Sequence, residues 1–286
     1  MSAAVVAAAV GGVVSSGPAV TAESNRPALA LGDSVVFGYI TQAGYDYVNP
    51  QNFVGFPEHA GPELHLHITN PSCPGETSGS LISTAEVDNG CKAFRHGAPL
   101  HVAYIGSQLD YAVAFVHHHR DTRMVSILVG ANDGFLVLDG CAGDPTCIQT
   151  QLPIALAKIG HNLDTIFHAL RKAGFHGVLV GMTYYSVDYT DASGTGFAKA
   201  LNAVIRDRTL AAGGVVADGF GAFKTAAFTS FAGGHTCKAG LLNAVPDPAH
   251  EFECDVHPSQ SGQEVLARAL SDAYLGAHDG GDDSGH

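Results

Sequence analysis

The chain has 286 residues, 46% of them hydrophobic and only 14% charged, with a formal net charge of −13. Charged residues make up about a quarter of an average domain, so this composition points to a large core under a sparsely charged surface. Its 14 Lys and Arg residues are nowhere concentrated, which excludes a phosphate-binding face, and nucleic acid is not an expected partner.

Residues 1–22, MSAAVVAAAVGGVVSSGPAVTA, carry no charge. The apolar stretch from Ala3 to Val14 is shorter than the ~20 residues that cross a bilayer. It reads as the apolar part of a secretory leader with Val20-Thr21-Ala22 as a small-residue cleavage site, although no Lys or Arg precedes it. A secreted monomer over 23–277 is expected, with no integral membrane segment once the leader is removed. Six cysteines fit disulfides in an oxidising compartment. Of the 15 pairings that six allow, sequence proximity favours Cys73–Cys91, Cys141–Cys147 and Cys237–Cys254. None lies in a C-x-x-C pair, which argues against a zinc ribbon.

Beyond the leader, short apolar runs alternate with amphipathic stretches. Runs at 27–32, 64–70, 124–130, 177–183 and 213–218 read as strands. Leu109, Ala112, Val113 and Val116 share one face of a helix over 106–119. Further helices are expected at 151–173, 196–212 and 262–277, the last capped by Ser259 or Ser261. The alternation implies a central parallel sheet of about five strands in a three-layer α/β/α (flavodoxin-like) fold. Residues 278–286 form a polar, acidic tail expected to be disordered.

Ligands in open parallel sheets bind beyond the carboxyl ends of the strands. Three short blocks follow expected strand ends: LGDSVVFGY with Ser34, NPSCPGETSGSLI with Gly75, and LVGANDG with Asn132. A fourth, CDVHPSQSGQEVLA, places His257 at the entry to the last helix. Alone, Ser34 reads as a helix cap, Gly75 as loop punctuation and Asn132 as a turn residue. Asp33 and Asp133 read as structural. Together the blocks supply a hydroxyl nucleophile, a base suited to neutral pH and donors for an oxyanion.

In these four blocks, in this order over residues 32–258, the chain resembles the SGNH, or GDSL-type, hydrolases, and the CPGETS version is similar to secreted bacterial lipolytic esterases. The resemblance implies carboxylic ester hydrolysis through an acyl-enzyme, without a cofactor or metal. Ser34 is then the nucleophile and His257 the base. The backbone N–H groups of Ser34 and Gly75 and the amide of Asn132 form the oxyanion hole. The chain lacks the G-x-S-x-G elbow of α/β-hydrolases.

The resemblance also places an Asp three residues before the histidine, where this chain has Cys254. Asp255 lies two residues before His257, and an extended segment is expected to turn it away from the imidazole. Either Asp255 or the Cys254 carbonyl is left to orient the ring, with the Cys237–Cys254 bridge holding the carbonyl. The chain has 16 histidines, including the alternating His65 and His67 and the run 117–119, but most such residues are solvated or hydrogen-bonded. TYYSVDY (183–189) follows the fourth strand and lines either the cleft or the core. Expected substrates are small-molecule or lipid esters, that is, lipid or short-chain acyl esters. The alternatives are acetyl esters of carbohydrates, or an extracellular binding protein that keeps the fold without turnover.

Overall fold

The first apolar run after the leader becomes β1 (Arg26–Gly32), buried over its last five residues. It pairs in parallel with β2 (Leu66–Thr69) on one side and β3 (Met124–Leu128) on the other. With β4 (Val178–Met182) and β5 (Val215–Ala217), the computed structural model, which describes residues 26–41, 47–245 and 253–279, has a parallel sheet of order β2-β1-β3-β4-β5. Every residue of β3 is buried, as expected of an interior parallel strand covered on both faces. Edge strands β2 and β5 are only partly buried.

Helices α2 (Phe56–Glu63), α9 (Gly219–Thr229) and α10 (Gln260–Asp279) pack together on one face of the sheet. Helices α5 (Gln108–His118), α7 (Pro145–Lys172) and α8 (Ala192–Ala211) cover the other. The architecture is the expected three-layer α/β/α sandwich around one main core. Four further helices sit at the carboxyl edge: α1 (Ser34–Phe37), α3 (Ser78–Ile82), α4 (Cys91–Gly97) and α6 (Ala131–Cys141). A smaller aromatic cluster of Phe37, Phe53 and Leu100, flanked by Tyr39 and Phe94, packs beside α1.

Several boundaries differ from expectation for identifiable reasons. Helix α7 begins at Pro145, where a proline's missing N–H costs nothing, and Asp144 caps it by accepting from Thr146 N–H at 2.9 Å. Helix α10 starts at Gln260, capped by Ser259, whose Oγ accepts from Gly262 N–H at 3.2 Å. It continues to Asp279, two residues into the expected tail. A hairpin absent from the sequence reading, β6 (Leu242–Ala244) and β7 (Cys254–Pro258), pairs antiparallel outside the main sheet. All three proximity-favoured disulfides are present, with Cα–Cα distances of 5.6, 5.5 and 5.7 Å in chain order. The leader and residues 280–286 lie outside the described residues. Among the described residues no helix is long and apolar enough to cross a membrane.

Candidate active site

The turn after β1 is fixed by backbone geometry. Gly32 has φ 148°, and a Cβ there would lie 2.1 Å from the Leu128 carbonyl oxygen of β3. Asp33, not Ser34, caps α1: its Oδ1 accepts from Val35 N–H at 2.9 Å. Its Oδ2 accepts from the Tyr184 hydroxyl at 2.5 Å. Burial pushes the Asp33 carboxyl up to about 6 despite these bonds. Ser34 is thereby released from capping, and its Oγ lies 3.0 Å from His257 Nε2.

His257 is carried by β7. Its backbone N–H donates to Asp255 Oδ1 at 2.8 Å, and its Nδ1 lies 3.2 Å from Asp255 Oδ2. The expectation that Asp255 turns away from the ring is corrected here. Residues two apart in a strand point to the same face, so a carboxylate at 255 stays beside an imidazole at 257. Thr41 Oγ1 also donates to Asp255 Oδ2. Burial would raise the Asp255 pKa, but the bonds from His257 and Thr41 outweigh it and hold the carboxyl below its usual range. Tyr39 meets the imidazole edge-on at 4.8 Å between centroids, and Tyr185 donates to the Val256 carbonyl at 2.5 Å.

The other two block residues meet the same space. Gly75 has φ 83°, and a Cβ would fall 2.3 Å from the Asn89 carbonyl oxygen. Glycine is therefore required by the turn and its packing. Asn132, near the start of α6, accepts from Asn89 Nδ2 at 2.9 Å through Oδ1. It donates through Nδ2 to the Glu76 carbonyl at 3.0 Å. Those partners fix which end of the amide is nitrogen, and its second N–H remains for a ligand. Asp133 is structural as expected: Oδ2 accepts from Ser78 N–H at 2.8 Å and Oδ1 from Ser78 Oγ at 2.6 Å.

Ser34, Gly75, Asn132 and His257 all line one cavity of about 650 Å³. Tyr184, Tyr185, Ser186 and Val187 line it too, placing the fourth strand's aromatic run in the cleft. Among the described residues, the one His/Cys/Asp/Glu group with metal-ligand spacing is Cys73, Glu76 and Cys91, and both sulfurs are committed to a disulfide.

The GDSL-like lipase/acylhydrolase family model matches residues 30–265, which include Ser34, Gly75, Asn132 and His257. The chain belongs to this family. Similar folds include the phospholipase A1 of Streptomyces albidoflavus NA297, at 17% identity and TM-score 0.55, covering 87% of this chain and 99% of that one. The extracellular lipase of Streptomyces rimosus matches at 18% identity and TM-score 0.53, with the same coverage of 87% and 99%. An acetylxylan esterase of Geobacillus stearothermophilus matches at 17% and 0.53, covering 88% and 94%. At such identities the likeness is one of fold. No curated sequence matches the chain significantly.

In this GDSL family member, the sequence reading missed the residues that brace the blocks. Gln108 of α5 is buried, accepts from Gly32 N–H at 2.6 Å and donates to the Gly32 carbonyl at 3.0 Å. The same Nε2 donates to Glu76 Oε2 at 3.0 Å, so one side chain ties the Ser34 turn to the Gly75 loop. Burial pushes the Glu76 carboxyl up to about 7, and Ser80 Oγ donates to its other oxygen at 2.5 Å. Gln263 of α10 accepts from Phe56 N–H at 2.9 Å and donates to the Val35 carbonyl at 3.0 Å.

Proposed function

We propose that the protein hydrolyses carboxylic esters through a covalent acyl-enzyme on Ser34. One observation carries the reading: the Ser34 Oγ to His257 Nε2 contact of 3.0 Å, backed by Asp255 and opening into a cavity lined by Gly75 and Asn132. Nε2 takes the Ser34 proton as Oγ bonds to the substrate's carbonyl carbon. The carbonyl oxygen becomes an oxyanion received by the Ser34 and Gly75 N–H groups and the free N–H of Asn132. As the tetrahedral adduct collapses, the C–O bond to the alcohol breaks and the imidazolium gives its proton to the leaving oxygen. Water then loses a proton to Nε2, attacks the acyl carbon, and releases the acid and the Ser34 hydroxyl. Asp255, accepting from Nδ1, fixes the tautomer that leaves Nε2 free to accept.

Family membership and apolar cavity residues such as Phe135, Leu152 and Phe197 favour lipid or other fatty acyl esters over acetylated carbohydrate. The three disulfides suit an extracellular setting. A serine-directed fluorophosphonate is expected to label Ser34, with labelling abolished in Ser34→Ala. A folded wild-type protein that never labels would instead be a binding protein. Parallel assays on p-nitrophenyl esters, a phospholipid and acetylated xylan read the substrate class. Activity confined to acetate, with acetate released from xylan, overturns the fatty acyl preference.

A further inference from the structure

We propose that Asn89, which lies outside the four sequence blocks, is a positioning residue for the oxyanion hole: its backbone aims Gly75 and its side chain aims Asn132. The proposal rests on the ester-hydrolase reading and adds to it the part that sets two of the three donors relative to each other.

The two donors come from separate elements. Gly75 stands in the loop after β2, and Asn132 lies near the start of α6, beyond β3. An oxyanion is stabilised by donors already aimed at where its charge develops, so both must be held before substrate arrives. The turn at residues 88–91 supplies the hold. Asp88 Oδ1 accepts from Gly90 N–H at 2.9 Å and from Lys92 N–H at 3.2 Å, which folds the chain back at the start of α4. Cys91 is bridged to Cys73, with 5.6 Å between the Cα atoms. Gly75 and Asn89 each lie two residues inside that bridge, and Asn89 N–H donates to the Gly75 carbonyl at 2.8 Å. Bridge and hydrogen bond are successive rungs, spaced as in an antiparallel ladder.

The backbone rung aims Gly75. A Cβ on Gly75 would lie 2.3 Å from the Asn89 carbonyl oxygen and 2.9 Å from Cys91 N, so the two segments meet backbone to backbone. The N–H and C=O of Gly75 belong to two rigid peptide planes joined at its Cα. Pinning the carbonyl to Asn89 therefore limits where the N–H can point.

The side chain aims Asn132. Asn89 Nδ2 donates to Asn132 Oδ1 at 2.9 Å, while Asn132 Nδ2 donates to the Glu76 carbonyl at 3.0 Å. A single contact would let the Asn132 amide swing about that point, whereas contacts at both ends fix its plane. The N–H that remains on Asn132 is then fixed in direction as well. Accepting from Asn89 also polarises the amide, which makes that N–H a better donor. Asn89 is half-buried and lines the same cavity as Ser34 and His257. Among the described residues its side chain bonds to Asn132 alone, since Asp88 already closes the turn. The Asn89 amide thus serves the site and not the loop that carries it.

The test is a double-mutant cycle read by p-nitrophenyl butyrate turnover and melting temperature. Asn89→Ala should lower kcat about 10- to 10²-fold with KM changed by less than about twofold, because the aim lost matters in the transition state. Asn132→Ala should lower kcat by about 10²–10³-fold. In the Asn132→Ala background, Asn89→Ala should remove no more than about threefold further, since nothing is left for it to aim. Asn89→Ser, too short to reach Asn132 and suited to a turn, replaces Asn89→Ala if that variant does not fold. Asn89→Asp keeps the shape but sets an oxygen against Asn132 Oδ1, and should lose at least as much kcat as Asn89→Ala. Fully additive losses would show Asn89 to act without Asn132 and overturn the proposal. A lower melting temperature with kcat unchanged would make Asn89 a turn residue only, which overturns it too. An Asn89→Asp variant as active as wild type would do the same. Fluorophosphonate labelling separates the two claims. A wild type that labels at Ser34 and cleaves esters, but is indifferent to Asn89, sinks the positioning role alone. A wild type that does not label sinks the ester-hydrolase reading beneath it.

Discussion

Ser34 and His257 meet across 3.0 Å, yet they are held by different kinds of structure. Ser34 stands at the tip of a central strand paired on both sides, behind a glycine with no room for a Cβ. His257 rides on a short antiparallel hairpin outside the sheet, fastened by the Cys237–Cys254 bridge and a few polar contacts. The carboxyls on the two sides differ in the same sense. Burial pushes Asp33, Glu58 and Glu76, on the sheet side, up to about 6, 7 and 7. Asp255, on the hairpin, is held below its usual range by its hydrogen bonds. Strand pairing and buried side-chain braces fix the nucleophile, whereas a disulfide and contacts local to the hairpin fix the base.

Removing the polar contact on the hairpin side should have the largest effect. Asp255→Ala is expected to lower kcat by up to about 10⁴-fold with the fold intact, as read by ester turnover and circular dichroism. A loss under about tenfold would return the orienting role to the Cys254 carbonyl. On the sheet side, Gln108→Leu should lower kcat by about 10–10²-fold with a smaller change in KM, because the Gly32 turn and the Gly75 loop lose their shared brace. Equal effects on kcat and stability, with KM unmoved, would show Gln108 to be a packing residue only.

Separating the bridge gives an intermediate effect. Cys237→Ser with Cys254→Ser should cost about 2–4 kcal/mol of stability and reduce kcat more than fluorophosphonate access, since the hairpin and not the sheet is loosened.

The smallest expected effect is on pH. Glu58 and Glu76 bind a proton in the folded state up to about 7 but release it near 4.5 when unfolded. Their contribution is fully present below 4.5 and is lost as pH rises toward 7, so the melting temperature should fall across that interval. Glu58→Gln should flatten part of this slope, because one Glu58 carboxylate oxygen is buried without a partner. Asp255 has the opposite sign: its contribution is present above 3.8 and is lost as pH falls through its lowered value.

The central sheet was legible because interior parallel strands announce themselves as apolar runs, and the block residues because they follow those runs directly. Helix α6 was given no element in the sequence reading, since ANDGFLVLDGC opens with turn residues and carries two glycines; one of them, Gly134, is there to admit Phe197. The hairpin escaped notice because β6 has only three residues and its partner starts beyond a long connection. Asp255 was misjudged on strand parity alone. The braces Gln108 and Thr41 carry no local signal, because their partners lie 76 and 214 residues away in sequence. Contacts of that range arise only once the chain is folded.

The strand order carries a further consequence. From β1 the chain goes to β2 on one side, then crosses back to β3 on the other. Loops leaving β1 and β3 are thereby sent in opposite directions, and a gap opens between them at Ser34 whatever side chains line it. Where the cleft lies is thus decided by wiring, while its lining is free to drift.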